Sequence, residues 1–408
     1  MIALLRKAFA LHPPPALRLR LLRWMAGAAV REFAWAFLAA TLLMAAGAIA
    51  LGALDGWLGI VIVVALGLWA LRLAALAWQS LTSARAIREV LAELEPPTDE
   101  RRSDFPLSNL LIPPLMLWPR GVAHRRGVEF ARYGERALRL DVYEPSEPAS
   151  GLRPAIIQVH GGGWIVGTRS EQGIPLLNHL AVHGWVGFNI DYRLSPEGTF
   201  PDHVVDVKRA IAWVREHAAD YGVDPDFVCI TGGSAGGHLC ALAALTAGDP
   251  AFQPGFEDAD TSVAAAVPFY GVYDLTNAEG EYYDEIQWVL EELVFKARVA
   301  EEPELYRSAS PTYRVHSGAP PFCVLHGDHD TLVPVADARR FVERLRAVSE
   351  QPVVYAELAG AEHAFDILPS VRTARVVETI ERFLATIRAG ERGVASDPPR
   401  AAPLSAIG

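Results

Sequence analysis

Residues Thr231–Gly237 read TGGSAGG, which contains the pattern G-x-S-x-G centred on Ser234. A serine flanked by glycines can occupy a sharp strand-to-helix turn where neighbouring β-carbons would clash. Its hydroxyl then stands at a helix N-terminus, where the dipole favours developing negative charge. The alternative for such a stretch is a glycine-rich loop with no chemical role. His160-Gly161-Gly162-Gly163-Trp164 bears on that choice. Three glycines directly after an apolar run leave bare backbone N–H groups free to point into a cavity. With the N–H of Ala235, the residue after the serine, they are what a tetrahedral oxyanion requires.

A serine hydroxyl needs a base, and the base needs an orienting acid. Two loops downstream of Ser234 offer them, His326–Pro334 (HGDHDTLVP) and Ala359–Phe365 (AGAEHAF). Asp330 is assigned as the acid and His363 as the base. Asp328 is the rival acid, with shaping of the turn by side-chain-to-backbone bonds as its other role. Glu362 reads as a solvated neighbour. His326 and His329 have a metal-like i, i+3 spacing, but no cysteine or further carboxylate set completes a zinc site, so neither metal nor cofactor is expected. His124, His179, His183, His203, His217 and His238 read as satisfied surface or helix residues. Trp164, Tyr270 and Trp288 are candidates for the wall of an apolar substrate pocket, as are Phe269, Tyr273, Tyr282 and Tyr283, with core packing as the alternative for each.

Elements that can hold these residues are legible around them. Val128–Tyr133 and Ala137–Tyr143 flank Gly134-Glu135-Arg136 as a hairpin, and short apolar runs follow at 155–159, 186–190, 227–231, 263–269, 322–325 and 353–358. Helical patterns lie between them, at 202–220, 235–247, 336–348 and 371–388. Short apolar strands separated by helices predict an α/β fold: a mostly parallel sheet with helices on both faces and right-handed crossovers.

The front of the chain is different in kind. Phe33–Leu54 holds 22 residues without a charge, about 33 Å as a helix, and after Asp55-Gly56 a second apolar run extends from Trp57 to Trp78. These predict two antiparallel membrane-spanning helices at 33–54 and 57–78, with Trp35, Trp57, Trp69 and Trp78 as interfacial anchors. Basic residues flank both ends of the pair and not the turn, which places both ends, and the body that follows, in the cytoplasm. Leu17–Trp24 (LRLRLLRW) is suited to lie along the membrane surface. A buried hairpin is the alternative; a cleaved signal peptide fits poorly, because 32 residues precede the first run. The 408 residues carry a net charge of −11, split into +4 over residues 1–102 and −15 over the remainder. So acidic a body repels phosphates and is a poor partner for nucleic acid. Three scattered cysteines are too few for a disulfide framework. The expected organisation is a membrane region at 1–92, a linker at 93–124, a catalytic domain at 125–390 and a disordered tail at 391–408.

HGGGW, DYRLSPE (Asp191–Glu197), the GGSAGGH elbow, HGDHD-x-x-VP and GAEHAFD, in that order, resemble the α/β-hydrolase carboxylesterase/lipase family, in its hormone-sensitive-lipase-like branch, over roughly residues 125–390. The resemblance implies an eight-stranded sheet, a triad of Ser234, Asp330 and His363, and Gly162, Gly163 and Ala235 as oxyanion donors. It implies hydrolysis of a small-molecule or lipid ester through an acyl-enzyme. The front hairpin lies outside that family's catalytic module, and the insertion 275–311 is expected to supply much of a cap over the site. An arylformamidase, a peptidase or an acyltransferase would use the same triad. A tethered binding protein on this scaffold would be expected to have lost one of its residues.

Overall fold

The computed structural model describes residues 13–92, 121–148 and 151–396; most of the expected linker and the last twelve residues lie outside them. Its helices are α1 (Pro15–Glu32), α2 (Ala34–Ala50), α3 (Trp57–Ala92), α4 (Ile174–Val182), α5 (Asp202–Glu216), α6 (Ala235–Leu245), α7 (Asp284–Val289), α8 (Pro303–Ala309), α9 (Val335–Val348) and α10 (Val371–Ser396). The strands are β1 (Val122–Tyr133), β2 (Arg136–Pro145), β3 (Arg153–Val159), β4 (Val186–Ile190), β5 (Val223–Gly233), β6 (Ala266–Phe269), β7 (Phe322–Gly327) and β8 (Val353–Leu358).

The eight strands form one sheet in the order β1-β2-β4-β3-β5-β6-β7-β8. β1 and β2 pair as the antiparallel hairpin, β2 joins β4 antiparallel, and every pairing from β4 through β8 is parallel. The central strands are short, rich in Val, Ile and Ala, and buried on both faces, as a covered parallel sheet demands. Alternate residues feed two cores. Ile156, Cys229 and Cys323 pack with Leu177 of α4 and Ile380 and Phe383 of α10. Ile157, Ile230 and Val324 pack with Ile211 of α5, Leu239 of α6 and Phe341 of α9 on the opposite face. Each such fully buried side chain contributes about 1.5–3 kcal/mol, so the sheet and its two helix layers form one cooperative body. α10 runs on to Ser396, six residues into the stretch expected to be disordered tail.

At the front, α2 and α3 are joined by a turn in which Gly52 takes the left-handed conformation, φ 85°. Trp57–Leu81 of α3 is long and apolar enough to cross a membrane, with a mean hydropathy of 2.4, whereas α1 and α2 are so only together, across a bend of 80°. Leu43, Leu51, Trp57, Leu71 and Trp78 are each more than two-thirds exposed, a surface that water alone would not leave uncovered. The helices are not separate from the body, however. Ala70, Leu73 and Leu76 of α3 are buried, and α3 packs on α10 and β8. Glu32, at the end of α1, is fully buried against Arg372 of α10, 2.5 Å away, and accepts from Ser370 Oγ at 2.6 Å.

Candidate active site

Strand register alone gathers the candidate residues. Val159 of β3 stands beside Gly232 of β5, and Gly233 beside Phe269 of β6. Gly327 of β7 stands beside Leu358 of β8. The loops that leave these strands, 160–173, 234, 328–334 and 359–370, therefore emerge together at the carboxyl edge of the sheet, where open α/β sheets bind their ligands.

Ser234 sits between β5 and α6 with φ 60° and ψ −122°, a conformation that costs on the order of 1–3 kcal/mol for a residue with a β-carbon. The turn is tight: a β-carbon on Gly236 would come within 2.1 Å of the Val159 carbonyl oxygen, and one on Gly232 within 2.4 Å of the Gly236 oxygen. The Ser234 N–H donates to the Phe269 carbonyl at 3.0 Å, and the Ser234 carbonyl accepts from His238 N–H at 2.9 Å, so both neighbouring elements hold the strained residue.

The oxyanion-loop candidates face this elbow. A β-carbon on Gly161 would lie 3.1 Å from Ser234 Cβ, and one on Gly162 only 2.1 Å from the Val166 carbonyl oxygen. Gly162, Gly163 and Ala235 line the same cavity as Ser234. The loop is braced from behind: Gly161 N–H donates to Gln172 Oε1 at 2.8 Å, Ser195 N–H to the Trp164 carbonyl at 2.8 Å, and Tyr192 O–H to the His160 carbonyl at 3.1 Å. Trp164 donates from Nε1 to His238 Nδ1 at 3.1 Å, and His238 Nε2 donates to the Ala309 carbonyl at 2.8 Å, linking loop, elbow helix and α8. The DYRLSPE segment is thus the loop's buttress. Within it Ser195 Oγ meets His203 Nε2 at 3.1 Å and donates to Gly198 at 2.8 Å, a buried pair outside the cavity lining.

His363 Nδ1 lies 2.7 Å from Asp330 Oδ2. The Asp330 side chain is fully buried. Its Oδ1 accepts from Leu332 and Val333 N–H at 2.8 and 2.7 Å, and its Oδ2 also faces His326 Nε2 at 3.1 Å. Burial by itself would raise the Asp330 pKa, but the facing His363 and the hydrogen bonds from His326 and His363 outweigh it and hold the carboxyl well below the ordinary value. It therefore stays ionised and keeps the His363 proton on Nδ1, leaving Nε2 as the basic nitrogen. The metal-like spacing dissolves: His326 is buried on Asp330, while His329 is exposed and paired with Asp328 at 2.6 Å. Asp328 also accepts from Gly360 N–H at 2.6 Å, the turn-shaping role. Glu362 is not solvated. It is 2% exposed, and its Oε1 accepts from Thr331 N–H, Thr331 Oγ1 and His363 N–H at 2.8, 3.0 and 3.0 Å. One carboxylate oxygen thus ties the acid loop to the base loop. Only the fold brings Thr331 to it, though an acid directly before the histidine was the available signal.

Ser234 and His363 line one cavity of about 220 Å³ with Trp164, Tyr270 and Trp288. Tyr270 stands with its ring 4.5 Å from that of His363, and its hydroxyl donates to Asp366, whose pKa burial raises to about 6. Phe269, Tyr273 and Tyr282 are core residues, and Tyr283 lies under the Arg20 guanidinium, 3.5 Å from it. The insertion 275–311 supplies Glu285, Ile286, Trp288 and Val289 to the lining, but the rest of the roof comes from elsewhere. Leu17, Leu21 and Trp24 of α1 close the cavity. Trp24 Nε1 donates to the His363 carbonyl at 2.8 Å, Arg31 reaches the Gly360 carbonyl at 3.3 Å, and Arg20 pairs with Glu285 at 3.4 Å. The stretch Leu17–Trp24, expected to lie along the membrane surface, is thus one of the cavity's walls.

The comparisons with known proteins agree with this architecture. The family model described as BD-FAE matches residues 140–345. A probable carboxylic ester hydrolase, LipM of Mycobacterium tuberculosis, is 49% identical over 284 residues, 69% of this chain and 66% of that protein. Esterase LipQ of the same organism is 48% identical over 294 residues, 71% of this chain and 69% of that one. The chain thus spans about two thirds of the length of these two relatives. Among solved structures, a butyrate-bound thermophilic esterase, Est2 of Thermogutta terrifontis, superposes with a TM-score of 0.55 at 27% identity, covering 66% of this chain and 95% of its own.

Proposed function

The chain belongs to the BD-FAE family and carries the α/β-hydrolase fold, and from that premise we propose that it is a serine carboxylic-ester hydrolase with Ser234, His363 and Asp330 as its triad. The observation that carries this is the buried Asp330 carboxyl held 2.7 Å from His363 Nδ1, with His363 and the strained Ser234 lining one cavity. Ser234 Oγ attacks the ester carbonyl and passes its proton to His363 Nε2. The backbone N–H groups of Gly162, Gly163 and Ala235 receive the oxyanion. His363 then gives the proton to the departing alcohol, leaving an acyl-serine. Water, deprotonated by the same imidazole, attacks that ester and releases the acid, restoring Ser234. Tyr270 and Trp24 pack on the His363 ring and backbone and keep the imidazole in place.

The membrane is the second partner in this proposal. α2 and α3 span it with both ends on the cytoplasmic side, which is supported by their exposed apolar side chains and by basic flanks. α1 is apolar on two sides: Leu17, Leu21 and Trp24 face the cavity while Leu19 and Leu22 are each 49% exposed. One helix therefore stands between the cavity and the lipid, and the substrate is an ester with an apolar acyl or alcohol part.

The test is hydrolysis of p-nitrophenyl esters by the full-length chain in detergent. Ser234→Ala loses turnover and labelling by a serine-reactive phosphonate while its melting temperature is kept. Wild-type-like turnover by that variant would overturn the assignment.

A further inference from the structure

On the helix layer away from α5 and α6, one ring nitrogen each of His179 and His183 and a carboxylate oxygen of Glu381 lie within 4.8 Å of one another. His179 belongs to α4 and His183 caps its C-terminus, an i, i+4 pair on one face; Glu381 reaches them from α10. We propose that these three residues form a binding site for a divalent transition metal of the zinc class, which staples α4 to α10.

Three observations support it. His179 Nε2 is buried and has no hydrogen-bond partner among the described residues, in a side chain only 6% exposed, and an unmet buried ring nitrogen is costly unless something occupies it. The atom opposite it is Glu381 Oε2 at 4.0 Å. That gap is too wide for a hydrogen bond and close to the width an ion fills, since two ligands at about 2.0–2.2 Å in a tetrahedron stand about 3.4 Å apart. Finally, the His183 Nδ1–H donates to the His179 carbonyl at 2.8 Å, which puts the lone pair on Nε2; a ligating histidine is commonly oriented by such a bond to a backbone carbonyl. Two imidazoles and one carboxylate suit Zn²⁺, Co²⁺ or Ni²⁺ rather than Mg²⁺ or Ca²⁺. His183 and Glu381 are only partly buried, so water takes the fourth position and small side-chain rotations close the ligand set.

The place in the fold gives the staple a consequence. α4 follows directly on Gln172, whose Oε1 holds the Gly161 N–H of the oxyanion loop, and α10 follows the His363 loop. A metal there fixes the two helices that anchor both sides of the cavity. It takes no part in bond making.

The experiment is titration of the metal-stripped full-length chain in detergent with Co²⁺, followed by displacement with Zn²⁺. The expected result is one equivalent bound with the visible absorption of a low-symmetry four-coordinate Co²⁺ site, and a melting temperature that climbs with Zn²⁺ concentration. His183→Gln and Glu381→Gln, both at partly exposed positions, leave the metal-free melting temperature near that of the wild type and weaken Co²⁺ binding about tenfold or more. Absence of the Co²⁺ absorption in the wild type overturns the proposal, and so does absorption that persists at unchanged affinity in both variants.

Discussion

Replacing Trp24 separates a wall of the working cavity from a membrane anchor that happens to touch it. The indole gives one hydrogen bond to the His363 carbonyl at 2.8 Å and packs edge-on against the His363 ring, with centroids 6.3 Å apart at 71°. Trp24→Phe keeps most of the ring and deletes the bond. A hydrogen bond of this kind is worth about 0.5–1.5 kcal/mol net, so kcat should fall roughly two- to twelve-fold as the imidazole loses its tether. Trp24→Ala also removes a half-buried aromatic from the roof. Full burial would make that about 3–5 kcal/mol of folding stability, so the half-buried ring accounts for about 2 kcal/mol of it, and the missing wall should lower kcat/KM for acetyl and butyryl esters. The enlarged cavity should at the same time move the preferred acyl chain upward in length. The assay is kcat and KM for p-nitrophenyl esters from acetate to palmitate, with the wild type and both variants in the same detergent and melting temperatures as the control for folding. If both variants keep the wild-type constants and chain-length profile, α1 is not a wall of the cavity that does the chemistry.

Glu362→Ala leaves Thr331 N–H and His363 N–H without their acceptor, at about 1–3 kcal/mol for each buried donor. The melting temperature and kcat should therefore drop together, and Glu362→Gln, which keeps an oxygen in place, should recover part of both; an unchanged kcat in Glu362→Ala would remove its role in positioning the two loops. Asp337 is buried, accepts from Tyr273 N–H at 2.7 Å and from the Tyr282 hydroxyl, and burial raises its pKa to about 6. A raised folded-state value means its contribution is present below the unfolded value, near 4, and is lost as pH rises through about 6, by up to about 3 kcal/mol. Asp337→Asn should accordingly gain stability relative to the wild type between pH 5 and pH 8 in denaturant titrations, and parallel pH profiles would refute this. Reporter fusions at the Asp55 turn and at the C-terminus should report opposite sides of the membrane; the same side for both would exclude two spans.

What was legible in the sequence and what was not divides along a physical line. Ser234, the glycines of 161–163 and the strand runs before them are local statements: a glycine pattern at the end of an apolar run specifies its own turn, and parallel register then carries the loops to one edge. His326 on Asp330 and Thr331 on Glu362 are loop contacts of a few ångströms that no spacing encodes, because an acid or imidazole in a polar loop is equally compatible with solvent. The roof was hidden for another reason. The leucines and arginines of 17–24 suit a lipid surface and a protein groove alike, since both reward an apolar face with basic flanks. One residue in that region did carry the distinction. Glu32 is the single acid among the six basic residues that precede the first apolar run. A lone carboxylate facing lipid headgroups would be repelled by their phosphates, whereas here it is buried with Arg372 and Ser370 of the body. A buried ion pair is stable only where both partners are held in register, and breaking one by removing a partner costs about 3–5 kcal/mol. The pair therefore fixes where α1 ends on the body, and with it where Trp24 must fall, two turns earlier, over His363.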